Sequence, residues 1–417
     1  MALLLVMAGL FAYFLYLRSG PPLNIVLVSI DTLRPDHLGC YGYHRNTSPT
    51  IDRLAREGAR FETVASSTSW TLPAHAAMLT SQPDILHRVL WDDDKLDPNR
   101  TSVAEILQDN GYRTGAVFTG PYLLPRFGLD QGFDDYMDAT LYDKSIDNSE
   151  VLRASEKGRT TPRAMDVMEK WLDKDTGKPF FFFLHLFDTH PDFVPPPPYG
   201  TMFDPGYNGD ITGKNIFQND KINKNMDSKD LEHLVALYDG EIRFVDETGI
   251  KRLLKILSDR DLLDNTLIII TSDHGEEFFE HGEIAHRNNL YDTTLLVPLI
   301  IWRPGLIPNA DITGRQVRII DIMPTILDVL DMGPCREATG LSLMSMIENP
   351  QGRHQPRPNL AELTGGRLHM EALRQGSSKF IFDYKKRRPY YFDLDEDPAE
   401  KNSLALETNQ KAQKAAN

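Results

Sequence analysis

The chain alternates between two kinds of hydrophobic pattern. Residues 23–30 (LNIVLVSI), 180–187 (FFFFLHLF), 267–270 and 297–302 (VPLIIW) are short runs with almost no polar interruption, rich in β-branched and aromatic side chains. Such runs predict strands buried on both faces of a parallel sheet. Residues 61–65 and 113–120 (RTGAVFTG) read as two further strands. Between them the apolar positions recur at helical spacing, over 48–58, 102–110 (SVAEILQDN), 163–172, 231–257 and 321–330 (DIMPTILDVL). Gly58 and Gly111 close two of these helices, and Gly177-Lys178-Pro179 breaks the chain after a third. This alternation predicts a mainly parallel sheet with helices on both faces. The stretch 191–199 is a proline-rich loop, and the polar stretch 207–228 reads as an exposed insertion. Past Pro334 the pattern weakens. Two aromatic strand candidates then follow, around the basic turn 385–389, and predict a small antiparallel subdomain beginning near Asn359.

Residues 2–17 form an unbroken apolar run apart from Tyr13 and Tyr16. The run falls short of the about 20 residues that span a bilayer comfortably. Arg18 closes it, and Ser19-Gly20-Pro21-Pro22 sets it apart as a linker would. No basic stretch precedes it and no clear small-residue cleavage site follows. We expect a signal-anchor-like segment, membrane association through residues 2–17, and a protein that is membrane-anchored or exported, its bulk extracytoplasmic. Arg18 alone argues for the opposite orientation. The expected division is 1–22 for segment and linker, 23–358 for the catalytic domain, and 359–417 for the C-terminal subdomain and tail.

Composition narrows the partners. The 417 residues carry a net charge of -15, which excludes nucleic acid as a partner and repels anionic substrates at long range. Chemistry on an anion here therefore calls for a local positive centre such as a metal ion. Cys40 and Cys335 are the only cysteines and make no disulfide framework.

Polar residues gather where the predicted strands end: Asp31, then Asp188 and His190, then Asp273 and His274. Open α/β sheets bind ligands at that edge. One such aspartate is usually a turn or helix cap; several at equivalent positions suggest a site for a divalent ion. Ser69-Trp70-Thr71-Leu72-Pro73-Ala74-His75 adds a hydroxyl, that of Thr71, at the start of a helix whose first turn accommodates Pro73. A hydroxyl there sits at the positive end of the helix dipole, where anions bind. The same threonine could equally be a plain N-cap. Glu276, Glu277, Glu280, His281 and His286 follow Asp273-His274 in a polar loop.

Together these residues resemble the sulfatase family of the alkaline phosphatase superfamily. Asn24 to Asp31, with Leu38-Gly39-Cys40-Tyr41-Gly42 behind it, is similar to the family's opening strand and first metal ligand. Thr71 to Thr80 resembles its nucleophile helix, and Asp264 to Gly275 its second metal segment. Later segments at 291–301, Asp321-Ile322-Met323-Pro324-Thr325 and 391–398 match as well. The resemblance implies an alkaline-phosphatase-like three-layer αβα sandwich with a mostly parallel central sheet and a small C-terminal antiparallel subdomain. It implies Asp31, Asp273 and His274 as metal ligands, with Thr71 as a further one. The ion is most typically calcium, with manganese, magnesium and zinc as alternatives.

Three positions depart from the pattern. Typical members place Cys or Ser where Thr71 stands, in a C/S-x-P-x-R motif, and oxidise it to formylglycine. Thr71 cannot form that aldehyde, because its β-carbon carries a methyl group. His75 stands where the family has Arg, and Thr32 replaces the second of two paired aspartates. An unmodified threonine resembles the superfamily's phosphatases and its phosphoglycerol or phosphoethanolamine transferases. The expected activity is hydrolysis of a sulfate or phosphate ester of a small molecule or glycan. Thr71 is the expected nucleophile, His190 and His286 are catalytic, and His75 and His281 bind substrate. A membrane-anchored transferase and a non-catalytic binder of sulfated glycans are the alternatives. Retention of Asp31, Thr71, Asp273 and His274 together speaks against the binder.

Overall fold

The computed structural model describes residues 22–140, 159–174, 176–366 and 368–404. The apolar run at 2–17 lies outside these, as does the tail from 405. Among the described residues no helix is long and apolar enough to cross a membrane.

Eight strands form the central sheet: β1 (Asn24–Ile30), β2 (Ala59–Ala65), β3 (Arg113–Phe118), β4 (Asp135–Asp138), β5 (Phe180–Leu186), β6 (Thr266–Thr271), β9 (Leu296–Trp302) and β10 (Ala310–Arg318). A two-residue hairpin, β7 (Glu277–Phe278) and β8 (Ile284–Ala285), stands apart from it. The spatial order is β10-β2-β9-β6-β1-β5-β3-β4, and every pairing is parallel except those of β9 with β2 and β6. The apolar strands do what their lack of alternation requires. Ile25 and Leu27 of β1 enter one core, while Val26, Val28 and Ile30 enter the other. Both faces are therefore covered, giving three layers.

One face carries α2 (Thr71–Thr80), α3 (Val103–Asp109) and α7 (Ile322–Val329). The other carries α1 (Pro49–Glu57), α4 (Thr160–Leu172), α5 (Ser228–Val245) and α6 (Lys251–Ser258). A single π turn, Asp246–Ile250, joins α5 to α6, so the long helical pattern at 231–257 is one continuous rod. Helix α2 is buried on every side: all ten of its residues are buried. The 207–228 stretch is mostly turns, as expected for an insertion, yet Ile211, Ile216 and Ile222 pin it to the core.

Four strands, β11 (Asn359–Gly365), β12 (Leu368–Gln375), β13 (Ser378–Asp383) and β14 (Arg388–Asp393), form a second, antiparallel sheet in sequence order. Ala361, Leu363, Met370, Ala372, Ile381 and Phe392 join the α2-side core. Fully buried Lys379 reaches Asp292 at 2.7 Å and Glu400 at 2.8 Å, and Arg374 reaches Asp292 at 3.0 Å.

Candidate active site

Neighbouring strands β6, β1 and β5 end side by side, and the backbone N–H of Asp31 still bonds the Leu186 carbonyl of β5. The next residues along β1 and β6 therefore meet at one edge. There Asp31, Asp273 and His274, all fully buried, present one ligand atom each, with those atoms within 4.8 Å of one another. Helix α2 brings in the fourth group: Thr71 Oγ1 lies 3.4 Å from His274 Nε2. Trp70, not Thr71, holds the N-cap position, and no side chain caps there. The hydroxyl is thus free of the capping duty that the sequence left open.

The donor set fits a divalent cation. Asp273 Oδ1 accepts from the N–H groups of Thr32 at 3.3 Å and His274 at 2.9 Å, while its Oδ2 has no hydrogen-bond partner. Asp31 Oδ1 is likewise without one. Two buried carboxylate oxygens without donors are expensive unless a cation lies between them. His274 Nδ1 donates to the Gly275 carbonyl at 3.0 Å, which turns the Nε2 lone pair toward the carboxylates. It lies 3.3 Å from Asp273 Oδ2 and 3.9 Å from Asp31 Oδ1. Burial and the neighbouring Asp273 push the Asp31 carboxyl well above its usual range. Burial acts on Asp273 in the same direction, but the imidazoles of His274, His75 and His185 outweigh it and bring this carboxyl to about 2.

Two further histidines line the rim. The His286 ring is 4.5 Å from that of His274 and 4.9 Å from that of His190. His190 Nδ1 donates to the Pro191 carbonyl at 2.7 Å, and His286 Nδ1 faces the Glu276 carboxylate at 3.2 Å. Both therefore leave Nε2 as the lone-pair nitrogen. Burial lowers the pKa of both rings.

Two expected substrate contacts lie elsewhere. His75 is fully buried under the site, its Nδ1 donating to the Thr71 carbonyl at 2.8 Å and its Nε2 3.0 Å from Ser29 Oγ. A neutral imidazole fits that cleft, and burial holds its pKa at about 4. His281 has Nδ1 on Glu277 at 2.7 Å and Nε2 on the Ala399 carbonyl at 3.0 Å, and it stacks on Tyr291. Both nitrogens are occupied, so it braces the C-terminal segment. Asp188, the third strand-end acid, bonds the N–H groups of Thr160 and Thr161 at the start of α4. It is a cap, not a ligand.

The structure adds residues that the sequence reading passed over. His185 of β5 stands 3.3 Å from Asp31 Oδ2. Its one signal was a lone imidazole in a phenylalanine run, on the same strand face as Phe181 and Phe183. Arg287 lays its guanidinium 3.9 Å from the Trp70 ring centre and binds Asp92 at 2.7 and 2.8 Å.

The chain is similar to known proteins over most of its length. Residues 23–332 match the family model Sulfatase. The arylsulfatase of Clostridium perfringens is 25% identical over 91% of this chain and 90% of its own length. Human iduronate 2-sulfatase (Homo sapiens) is 26% identical over 90% of this chain and 76% of its own. Among solved structures, one in complex with its substrate D-glucosamine-2-N,6-O-disulfate superposes with a TM-score of 0.76 at 20% identity, covering 95% of each chain. The phosphonate monoester hydrolase of Agrobacterium radiobacter gives a TM-score of 0.76 at 21% identity, covering 94% of each. From its fold, the family model matched over residues 23–332 and these relatives, the chain belongs to the sulfatase family, as a sulfatase-like ester hydrolase.

Proposed function

We propose that this chain hydrolyses singly charged sulfate or phosphate esters, with Thr71 Oγ1 as an unmodified nucleophile. The observation that carries the proposal is the placement of that hydroxyl, 3.4 Å from His274 Nε2 at the buried N-terminus of α2 and outside any cap. Asp31, Asp273, His274 and the Thr71 hydroxyl are the residues to hold one divalent ion. When bound, such an ion acidifies a neighbouring hydroxyl and neutralises charge on the ester oxygens. Calcium is the ion the family resemblance implies, and the two carboxylates also suit manganese; the imidazole in the set shifts preference toward zinc and away from magnesium.

The steps follow from the side chains. Thr71 Oγ1 attacks sulfur or phosphorus, the bond to the leaving oxygen breaks, and a covalent ester forms on the enzyme. The threonine proton passes to a neutral imidazole of the rim, His190 or His286, and is returned to the leaving alkoxide. Water then attacks the same centre and frees Thr71. The first N–H groups of a helix lack an intrahelical partner, so those of Thr71 and Leu72 would be the ones to meet the anionic oxygens, Pro73 contributing none.

Charge selects among esters. The carboxylates of Asp31 and Asp273 match the charge of one divalent ion, so the ligand groups and the ion together carry no net charge. His75, standing where the family resemblance puts a permanent arginine cation, is uncharged at neutral pH. That balance suits a sulfate monoester or a phosphodiester better than a doubly charged phosphate monoester. Comparing hydrolysis of an aryl sulfate, a phosphodiester and an aryl phosphate, with calcium, manganese, magnesium and zinc added in turn, tests this. Fastest turnover of the aryl phosphate would refute the charge argument.

Residues 2–17 support a further part of the proposal by sequence alone: an anchored or exported, extracytoplasmic protein. Detergent-dependent extraction of the full chain tests it.

A further inference from the structure

Behind the ligand set stands a buried histidine that the chemistry above leaves unused. His185 is fully buried on β5, in register with Ser29 of β1. Its Nε2 lies 3.3 Å from Asp31 Oδ2, and the cluster of Asp31, Asp273 and His274 does not include it. The ring is therefore a hydrogen-bond neighbour of Asp31 and not one of the clustered ligand groups. Its tautomer can be read from the backbone. The N–H of Thr119, just past β3, points at His185 Nδ1 from 3.4 Å. An amide N–H only donates, so Nδ1 accepts and the proton of the neutral ring sits on Nε2. The Thr119 hydroxyl donates to the His185 carbonyl at 2.9 Å and fastens the two strands at this point. Among the described residues Nε2–H has one acceptor, Asp31 Oδ2. Occupying that oxygen leaves Oδ1, which has no partner, turned toward His274 Nε2 at 3.9 Å.

We propose that His185 is a positioning residue for the metal site: its Nε2–H pins one oxygen of Asp31 so that the other is aimed at the cation, and the Thr119 N–H selects the tautomer that does so. The inference rests on the metal reading of Asp31, Asp273 and His274. A carboxylate turns freely about its last torsion, and a donor on one oxygen removes that freedom before the ion arrives. Partners of this kind are worth about 10–100-fold in metal affinity.

Two substitutions separate the two nitrogens. In His185→Gln the side-chain amide reaches the place of Nε2, whereas in His185→Asn it reaches only that of Nδ1. Full-length wild type and both variants are stripped with chelator, checked for folding by thermal melting, and titrated with Mn²⁺ by calorimetry. We expect His185→Asn to bind Mn²⁺ about 10–100-fold more weakly than wild type, and His185→Gln to stay within a few-fold. Nitrogen-15 spectroscopy of the metal-free wild type, which requires no variant, is expected to show His185 protonated at Nε2. Wild-type affinity in folded His185→Asn, equal losses in both variants, or an Nδ1-protonated ring would each overturn the proposal. Failure of the wild type itself to bind Mn²⁺ would overturn the metal reading along with it.

Discussion

At the scale of single residues, position in the site separates chemistry from support. Thr71 sits beside His274 without capping its helix, so under the proposed mechanism its hydroxyl is expendable for folding and required for turnover. Thr71→Ala should lower kcat by at least about 10³-fold, the scale on which lost nucleophiles act, with an unchanged melting temperature in the chelator-treated protein. Thr71→Ser should keep part of the activity. A capping threonine would instead lose about 1 kcal/mol of stability and keep its rate. His75 has the reverse role. It fills a closed cleft between the Thr71 carbonyl and Ser29, so His75→Ala should cost about 2–4 kcal/mol in denaturant unfolding, through a cavity and two unpaired polar groups. The sequence made Asp31, Asp273 and His274 legible because each stands just past a plain apolar run, and Thr71 legible because it opens a helix whose first turn holds Pro73. It misplaced His75 because motif position says which residue aligns with an arginine, not whether its side chain reaches solvent. His185 was hidden for a related reason: inside an apolar strand, a functional histidine and a packed one look alike.

At the scale of elements, helix ends explain which acids are structural. Two helices are capped from a distance by carboxylates. Asp188 takes the first N–H groups of α4, and Asp246 of the π turn takes those of Thr50 and Ile51 in α1. Asp188→Ala should therefore destabilise by about 2 kcal/mol, as lost caps do at the upper end of their range, with turnover per folded molecule retained; chemical denaturation and a standard rate assay check both. Runs without alternation gave β1, β5, β6 and β9 their places in advance, since only doubly covered strands read that way. Strand β10 was not foreseen, because ADITGRQVR is polar, lies at the sheet edge and carries a register irregularity between Ile312 and Gln316. The antiparallel direction of β9 was equally out of reach, since burial on both faces is the same whichever way a strand runs.

At the scale of the whole molecule, charge ties the two sheets together. Asp292, at the start of the segment leading into β9, meets Lys379 and Arg374 of the small sheet. Burial would raise its carboxyl, but these two cations hold it at about 2. The carboxyl is thus depressed below its unfolded value of 3.8. The sign follows: its contribution is complete above that value and is lost as pH falls from there toward 2. Melting followed down this range should show a steeper loss in wild type than in Asp292→Asn. Lys379→Met should destabilise by about 3–5 kcal/mol, because it leaves Asp292 and Glu400 buried beside each other with one cation removed. Ion binding acts at the same scale. A cation that binds only the folded chain raises its melting temperature, so chelator should lower the melting temperature and abolish turnover together, and added divalent ion should restore both.

The central claim is that Thr71 is esterified during turnover. Mass spectrometry of the peptide carrying Thr71, from enzyme acid-quenched while turning over a slow aryl ester, reads this directly. One added sulfuryl or phosphoryl group is expected, located on Thr71 and absent from enzyme quenched without substrate. An unmodified Thr71 peptide during turnover, in an enzyme whose Thr71→Ala variant keeps the wild-type rate, would contradict it and make water the nucleophile.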